Sequence, residues 1–263
     1  MDTYSSDVVR RLSAAERALN RLRAQGWVQV ACDQFLRLAG LRGSWPMSAF
    51  DSTGAAQDQS GHAHHLTYNG NPTYNYYGCA PYIALDGIGD YLSRADEADL
   101  DILGTESYVG AQVRGMTAGG WFRVSALPGP GAYGGLVSKN GAALQRSWSL
   151  RVNNATPELV ISDDGTNTTT CTSMAIVIDT WYFIVGRFIP STSVDVFVNE
   201  VEYNQVTARA ALFNSNAALQ VGYCDVAGSY LTGWASMVFV CAMALSDACI
   251  QSLYQVTRSL LDV

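Results

Sequence analysis

The chain has 263 residues, of which 48% are hydrophobic and only 15% charged, with a formal net charge of −7. This suits one large globular domain with a surface poor in charge, and the negative sign argues against a nucleic-acid backbone or an anionic membrane as partner. No stretch approaches the roughly 20 apolar residues that span a bilayer, and the charged opening segment lacks the apolar run of a secretory signal.

The first predicted element is a helix over residues 5–25. Ser5, Val8, Leu12, Ala15, Leu19 and Leu22 recur at spacings of three and four, an a/d seam, while Arg10, Arg11, Glu16, Arg17, Arg21 and Arg23 fill much of the rest. Gly26 ends it, and Trp27–Leu41 reads as a second short helix. A lone helix of this length is marginal in water, so the stripe needs a partner. Residues 1–40 are therefore expected to be an oligomerisation or attachment segment, joined through Val8, Leu12, Ala15, Leu19 and Leu22. The other reading, in which both helices pack on their own domain, stays open.

From Leu41 onward the pattern is β, and residues 41–263 are expected to form one domain. Asp51–Gly78 is rich in Gly, Ser, Asn and Gln and predicts long loops with at most one short strand. Tyr82–Leu92 predicts a strand, a glycine turn and a strand start. Gly119–Val124, Gly135–Ser138, Ser147–Val152 and Glu158–Ser162 predict short strands, with a turn at Asp164-Gly165. Trp181 to Ile189 is apolar on both alternate sets, which predicts a strand covered on both faces, with Trp181, Phe183 and Val185 in the core. Pro190-Ser191-Thr192-Ser193 breaks the run, and Val194, Val196 and Val198 return at period two. Leu219–Tyr223 and Trp234–Met243 add strands. The last element is a helix with Ser246 as N-cap and Ile250, Leu253, Tyr254, Thr257 and Leu261 on one face. Ten or more short strands with regular turns imply a mainly β protein, a sandwich or jelly roll.

Several of these segments also resemble a known family in order. They are LRGSWPM with AQDQSGHAHHLT (Leu41–Thr67), ALDGIGDYLSRAD, GGWFRV, LVSKNG, DTWYFIVGRF with VDVFVNE, and LQVGY with LTGWASMVFVCAMALSDACIQSLY. Together they are similar to the laminin-G-like, concanavalin-A-like jelly roll over residues 41–255. One departure is Glu200, which stands where the family's hairpin has glycine. The resemblance implies two antiparallel sheets packed face to face, one of them concave, in a domain that is mostly non-catalytic and often binds carbohydrate or protein. With the helical stalk and the low charge, the chain further resembles bacteriophage virion proteins: fibres, appendages and capsid decorations. The implied function is a non-enzymatic virion structural protein, made in the host cytoplasm, with itself and other virion proteins as partners. A homotrimer is favoured by that resemblance alone. The alternative is a carbohydrate-binding adhesin that meets cell-surface glycans, and a glycoside hydrolase is the third reading.

The residue chemistry offers its own candidates. Tyr74, Tyr76 and Tyr77 lie in NPTYNYYG, near Asn69, Asn71 and Asn75, and the stretch predicts a loop. Aromatic rings beside amides suit a sugar, whose apolar face stacks while its hydroxyls need amide partners. These rings could equally cover a sandwich edge or a subunit interface. Glu200 and Glu202, two apart, are the nearest match to a carboxylate pair of a retaining glycosidase, but they sit at a hairpin end. His62, His64 and His65 predict a surface loop, and Asp99 and Asp101 a loop or strand edge. No cofactor is expected. The open point is a structural calcium, for which Asp86 and Asp90 at the glycine turn are the candidates; two carboxylates do not define a site for an ion that takes six to eight oxygens. The cysteines Cys32, Cys79, Cys171, Cys224, Cys241 and Cys249 lie far apart and read as buried free thiols.

Overall fold

The computed structural model describes residues 40–47, 55–106, 113–142, 144–224 and 228–263. The a/d seam of Val8, Leu12, Ala15, Leu19 and Leu22 lies outside these residues, as does Cys32. Within them the strands are β1 (Leu41–Trp45), β2 (Ala55–Ala56), β3 (Leu66–Asn69), β4 (Thr73–Tyr77), β5 (Ala80–Asp86), β6 (Tyr91–Arg94), β7 (Met116–Ala126) and β8 (Tyr133–Asn140). The second half supplies β9 (Arg146–Asn153), β10 (Thr156–Ile161), β11 (Thr169–Thr172), β12 (Trp181–Ile189), β13 (Ser193–Val198), β14 (Val201–Val206), β15 (Leu219–Val221) and β16 (Thr232–Cys241). One helix, α1 (Asp247–Arg258), follows.

The strands form two antiparallel sheets. The first runs β14-β13-β12-β7-β16-β5-β4, and the second β11-β10-β9-β8-β15-β6-β3-β2. In the first sheet β16 serves two partners on one side: Thr232 to Ala235 pair with β5, and Val238 to Cys241 pair with β1. A bulge between Ser236 and Phe239, where Met237 has φ 48°, separates the two registers.

Strand β12 shows how the layers arise. Tyr182, Ile184 and Phe188 point between the sheets, where they meet Val194, Val196 and Val198 of β13 and Leu150 and Leu159 of the second sheet. Trp181, Phe183 and Val185 are buried as well, but in a separate layer on the outer side of the first sheet. They belong to the core as expected, in the part of it that lies outside the sandwich proper. The reason is α1, which lays Ile250 and Leu253 over that face, followed by Leu260 and Leu261. Ser246 caps the helix by accepting the Cys249 N–H at 3.3 Å. Trp121 stacks on Tyr254 with centroids 5.6 Å apart and donates its Nε1–H to Thr257 Oγ1 at 2.7 Å.

Arg187, buried on the same side of β12, ties the helix to the sheet. It donates to Asp195 Oδ2 at 2.7 Å, to Glu202 Oε1 at 2.6 Å, to Asp247 Oδ1 at 2.6 Å and to the Leu245 carbonyl at 2.9 Å. Burial opposes its charge, but Asp247 and Asp195 more than offset that and raise its pKa.

The stretch expected to be long loops holds three strands, β2, β3 and β4, where at most one was predicted. Its D-x-S-G motif has a structural task. The buried Asp58 carboxylate accepts the N–H groups of Ser44 (2.9 Å), Ser60 (2.9 Å) and His64 (3.0 Å), pinning the loop to β1. His64 is therefore not a surface residue: it is 3% exposed, and its Nδ1 lies 2.6 Å from the Arg42 carbonyl. His62 stacks on it and contacts Asp99 at 2.6 Å. Lys139, the chain's one lysine, is 1% exposed and bonds Asp96, Asp101 (3.1 Å) and the Ala217 carbonyl (3.1 Å). The cysteines within the described residues are free thiols. Burial pushes Cys171 up to about 11 and Cys241 up to about 12.

Candidate functional site

The tyrosine cluster lies on β4, an edge strand of the first sheet and not a loop. Period two then splits it. Asn75 is paired with Tyr82 and Tyr77 with Ala80, both members of the layer beneath α1. Tyr74 is paired with Ile83, which faces the second sheet, so Tyr74 and Tyr76 point to the opposite side. Those two rings meet edge to face at 5.2 Å. Burial, and beyond it the hydrogen bond with Tyr76, push the Tyr74 phenol above its ordinary value.

On the outer side Tyr77 is 39% exposed and rests on a preformed aromatic bed. Its ring lies 6.0 Å from both Trp181 and Trp234. Tyr82 stacks on Trp234 at 4.4 Å, and the Arg123 guanidinium sits 3.9 Å from that indole. Arg123 is itself fixed by Asp179, at 2.9 Å to its carbonyl and 3.0 Å to its carboxylate. Burial raises the Tyr82 pKa against the pull of Arg123. The cross-strand row Thr73, Ala84, Trp234, Arg123 and Trp181 builds this surface from five strands. Sequence reading missed Tyr82, Arg123 and Trp234 as companions of Tyr77, since their proximity depends on register. The signal in the sequence is period two, which places Trp234 and Arg123 on one set of faces but does not say that β5, β16 and β7 are neighbours.

The other candidates are occupied by structural bonds. Asp86 Oδ1 accepts the N–H groups of Ile88 (2.8 Å), Gly89 (3.1 Å) and Asp90 (3.1 Å), and the first two hold its pKa below the ordinary value. Asp90 Oδ1 accepts the Asn71 N–H at 2.7 Å. Through their Oδ1 atoms the two carboxylates hold the backbone of the adjoining turns. Among the described residues, no group of three His, Cys, Asp or Glu side chains is arranged to hold a metal ion. Glu200 bonds Gln255 of α1, and Glu202 joins the Arg187 network. Burial raises the Glu202 pKa in spite of Arg187, helped by Asp247 and Asp195. Asn199, with φ 57°, shapes the turn whose next residue is Glu200 in place of glycine.

Two packed antiparallel sheets with this strand order define a lectin-type jelly roll, a class in which binding surfaces form on sheet faces, edges and loops. The family model described as the concanavalin A-like lectin/glucanases superfamily matches residues 101–251, and the chain belongs to that superfamily. A search of curated protein sequences finds no match. Among solved structures, the binding domain of Paraclostridial mosquitocidal protein 1 superposes with a TM-score of 0.65 at 12% identity, over 82% of this chain and 52% of that one. The binding domain of botulinum neurotoxin serotype G gives 0.63 at 11% identity, over 83% and 51%. The ligand-binding domain of botulinum neurotoxin serotype D, solved with N-acetylneuraminic acid, gives 0.62 at 13%, over 82% and 50%. This chain spans about half the length of each, and at such identities the likeness concerns the fold.

Proposed function

We propose that the chain is a non-catalytic, lectin-like module that binds carbohydrate at the outer side of β4, and that it serves as a repeated unit of a virion appendage, fibre or capsid decoration. One observation carries the binding reading: Tyr77 presents an exposed ring beside the exposed Asn75, on a bed of Trp181, Trp234 and Tyr82 that is already packed. A ring held in place before binding loses little conformational freedom when a sugar stacks on it, and the adjacent amide both donates and accepts for hydroxyls. The toxin binding domains of similar fold support a binding role, and one of them was solved with a sugar acid. The non-catalytic reading is supported by the engagement of Glu200 with Gln255 of α1 and of Glu202 with Arg187 of β12. The virion setting and the trimer are supported by the motif order and by the a/d seam. Light scattering of the full chain tests them, and a monomer at micromolar concentration would sink the self-association.

A printed panel of mammalian and bacterial glycans tests the binding reading. The full chain is expected to retain at least one glycan class and to release no product from it. Absence of binding across the panel overturns the lectin reading, and release of reducing ends overturns the non-catalytic one.

A further inference from the structure

Lys139 occupies a place in the fold where a lysine is not expected. The chain has 16 basic residues, and every other one is arginine. Strand β8 pairs Lys139 with Leu219 of β15 and Trp148 of β9, both buried between the sheets, so its side chain leaves the inner face of the second sheet and not the solvent face. It is 1% exposed, and its ammonium meets the segment that follows β6, where Asp96 and Asp101 flank a single turn at Ala98–Leu100. Leu100 and Ile102 of that segment are themselves core residues.

An arginine would answer two carboxylates better than a lysine, since its planar fork pairs with them bidentately and stays charged. What lysine alone offers is an amine that becomes a nucleophile once its proton is gone. Its neighbours are arranged for that. Lys139 Nζ bonds Asp96 Oδ1, lies 3.1 Å from Asp101 Oδ1 and donates to the Ala217 carbonyl at 3.1 Å. Asp101 is held in turn by Asn214, whose carboxamide, with its nitrogen toward the carboxylate, donates to Oδ1 at 2.9 Å and to Oδ2 at 3.1 Å. An amine, a carboxyl group in contact with it and a second, fixed carboxyl for proton transfer are the parts of an amide-forming centre.

We propose that Lys139 and Asp96 condense to an intramolecular amide, a covalent bridge between β8 and the segment after β6, with Asp101 as the proton-transfer group. A proton passes from the Lys139 ammonium to the Asp96 carboxylate, which leaves a neutral amine beside a carboxylic acid. The amine nitrogen attacks Asp96 Cγ, forming the C–N bond. Asp101 takes a proton from that nitrogen and returns it to the departing hydroxyl as the C–O bond breaks. One water leaves, and no oxidant or activating group is consumed. Asp96 is partly exposed, which gives that water an exit. Proximity supplies what free lysine and aspartate lack, because well-oriented pairs reach effective molarities of about 10⁵ M and above. Burial of the amine works in the same direction, since it disfavours the ion pair relative to the neutral products.

The test is the mass of the full chain, denatured in acid and measured by electrospray. It is expected to fall short of the sequence mass by one water in most molecules. Tryptic digestion should then recover Ala95–Arg114 joined to Val124–Arg146, uncut after Lys139, and fragmentation of the joined peptide should place the bond at Asp96. Lys139→Arg and Asp96→Ala should each restore the full sequence mass. Asp101→Asn should slow linkage by about a hundredfold or more, read from the linked fraction at intervals after synthesis. The unaltered chain decides the matter even if a variant fails to fold. A mass equal to that of the sequence, or cleavage after Lys139, would overturn the inference. So would a water loss that maps to Asp86-Gly87 or Asp164-Gly165, where an aspartate closes on the following N–H. A bond found at Asp101 would overturn the roles given to the two carboxylates.

Discussion

The outer faces of the two sheets are built to opposite plans. On the first sheet, Trp121, Phe183, Val185 and Phe197 are too apolar to meet water, and α1 seals them. On the second, the equivalent cross-strand row is Ser93, Gln220, Ser138 and Ser149, polar throughout. Its cover is a piece of chain that turns back on itself. Gly222, at φ 89°, allows the reversal, and Gly135 has no Cβ to collide with the Tyr223 backbone, which would lie 2.4 Å away. Ser138 Oγ then donates to the Tyr223 carbonyl at 2.9 Å. An apolar face needs a helix and gains stability from it, whereas a polar face is covered by hydrogen bonds and keeps unsatisfied groups. The helix cover stops at Tyr77, whose exposed ring lies against Trp181 and Trp234 at its margin.

The contrast is broken most forcefully at Phe183. Phe183→Ala removes a fully buried ring from the sealed layer and should cost about 3–5 kcal/mol in a chemical melt. Ser149→Ala on the other sheet should cost less than about 1 kcal/mol or stabilise, because its buried Oγ has no partner to lose. Equal losses at the two sites would erase the distinction. Arg187→Met is expected next, at about 3 kcal/mol, since it leaves the wholly buried Asp195 without its main counter-charge. Reduced helical signal at temperatures where the sheets persist would show that this arginine fastens α1, and a single unchanged transition would argue otherwise.

The smallest effect is electrostatic. Asp164 accepts from the Asn167 side chain and from the Thr166 and Asn167 N–H groups, which lower its pKa from 3.8 to about 2. A depressed folded-state pKa means stability that is present above pH 3.8 and lost as the pH falls toward 2. Replacing Asp164 with Asn should flatten the acid limb of the stability profile in that window by lowering the neutral plateau toward the acid value, a small change because the side chain is exposed. An unaltered acid limb would contradict this.

The elements legible in the sequence are those with apolar residues at regular spacing. The β12–β13 hairpin, the strands from β7 to β10 and the Ser246 cap all declare themselves through period or capping chemistry. Strands β4 and β14 do not, because each is an edge strand whose residues are mostly exposed on both sides, so no alternation marks them. The same logic governs the candidate site. Tyr77 and Asn75 could be named from composition. Their separation from Tyr74 and Tyr76, and their union with Arg123 and Trp234, follow from pairings between strands distant in sequence. His64 was misplaced at the surface for a similar reason: its burial comes from Asp58 and Arg42, which lie across the loop and not beside it.

The central claim is that the outer side of β4, and not its inner side, meets carbohydrate. Titrating a bound glycan by calorimetry against Tyr77→Ala and Tyr76→Ala tests it most directly, since the two rings are adjacent in sequence and similarly exposed but face opposite ways. Loss of a stacking ring is expected to lower affinity by about tenfold or more for Tyr77→Ala, with Tyr76→Ala within about twofold of the unaltered chain. Equal losses from both, or a loss from Tyr76→Ala alone, would contradict the account.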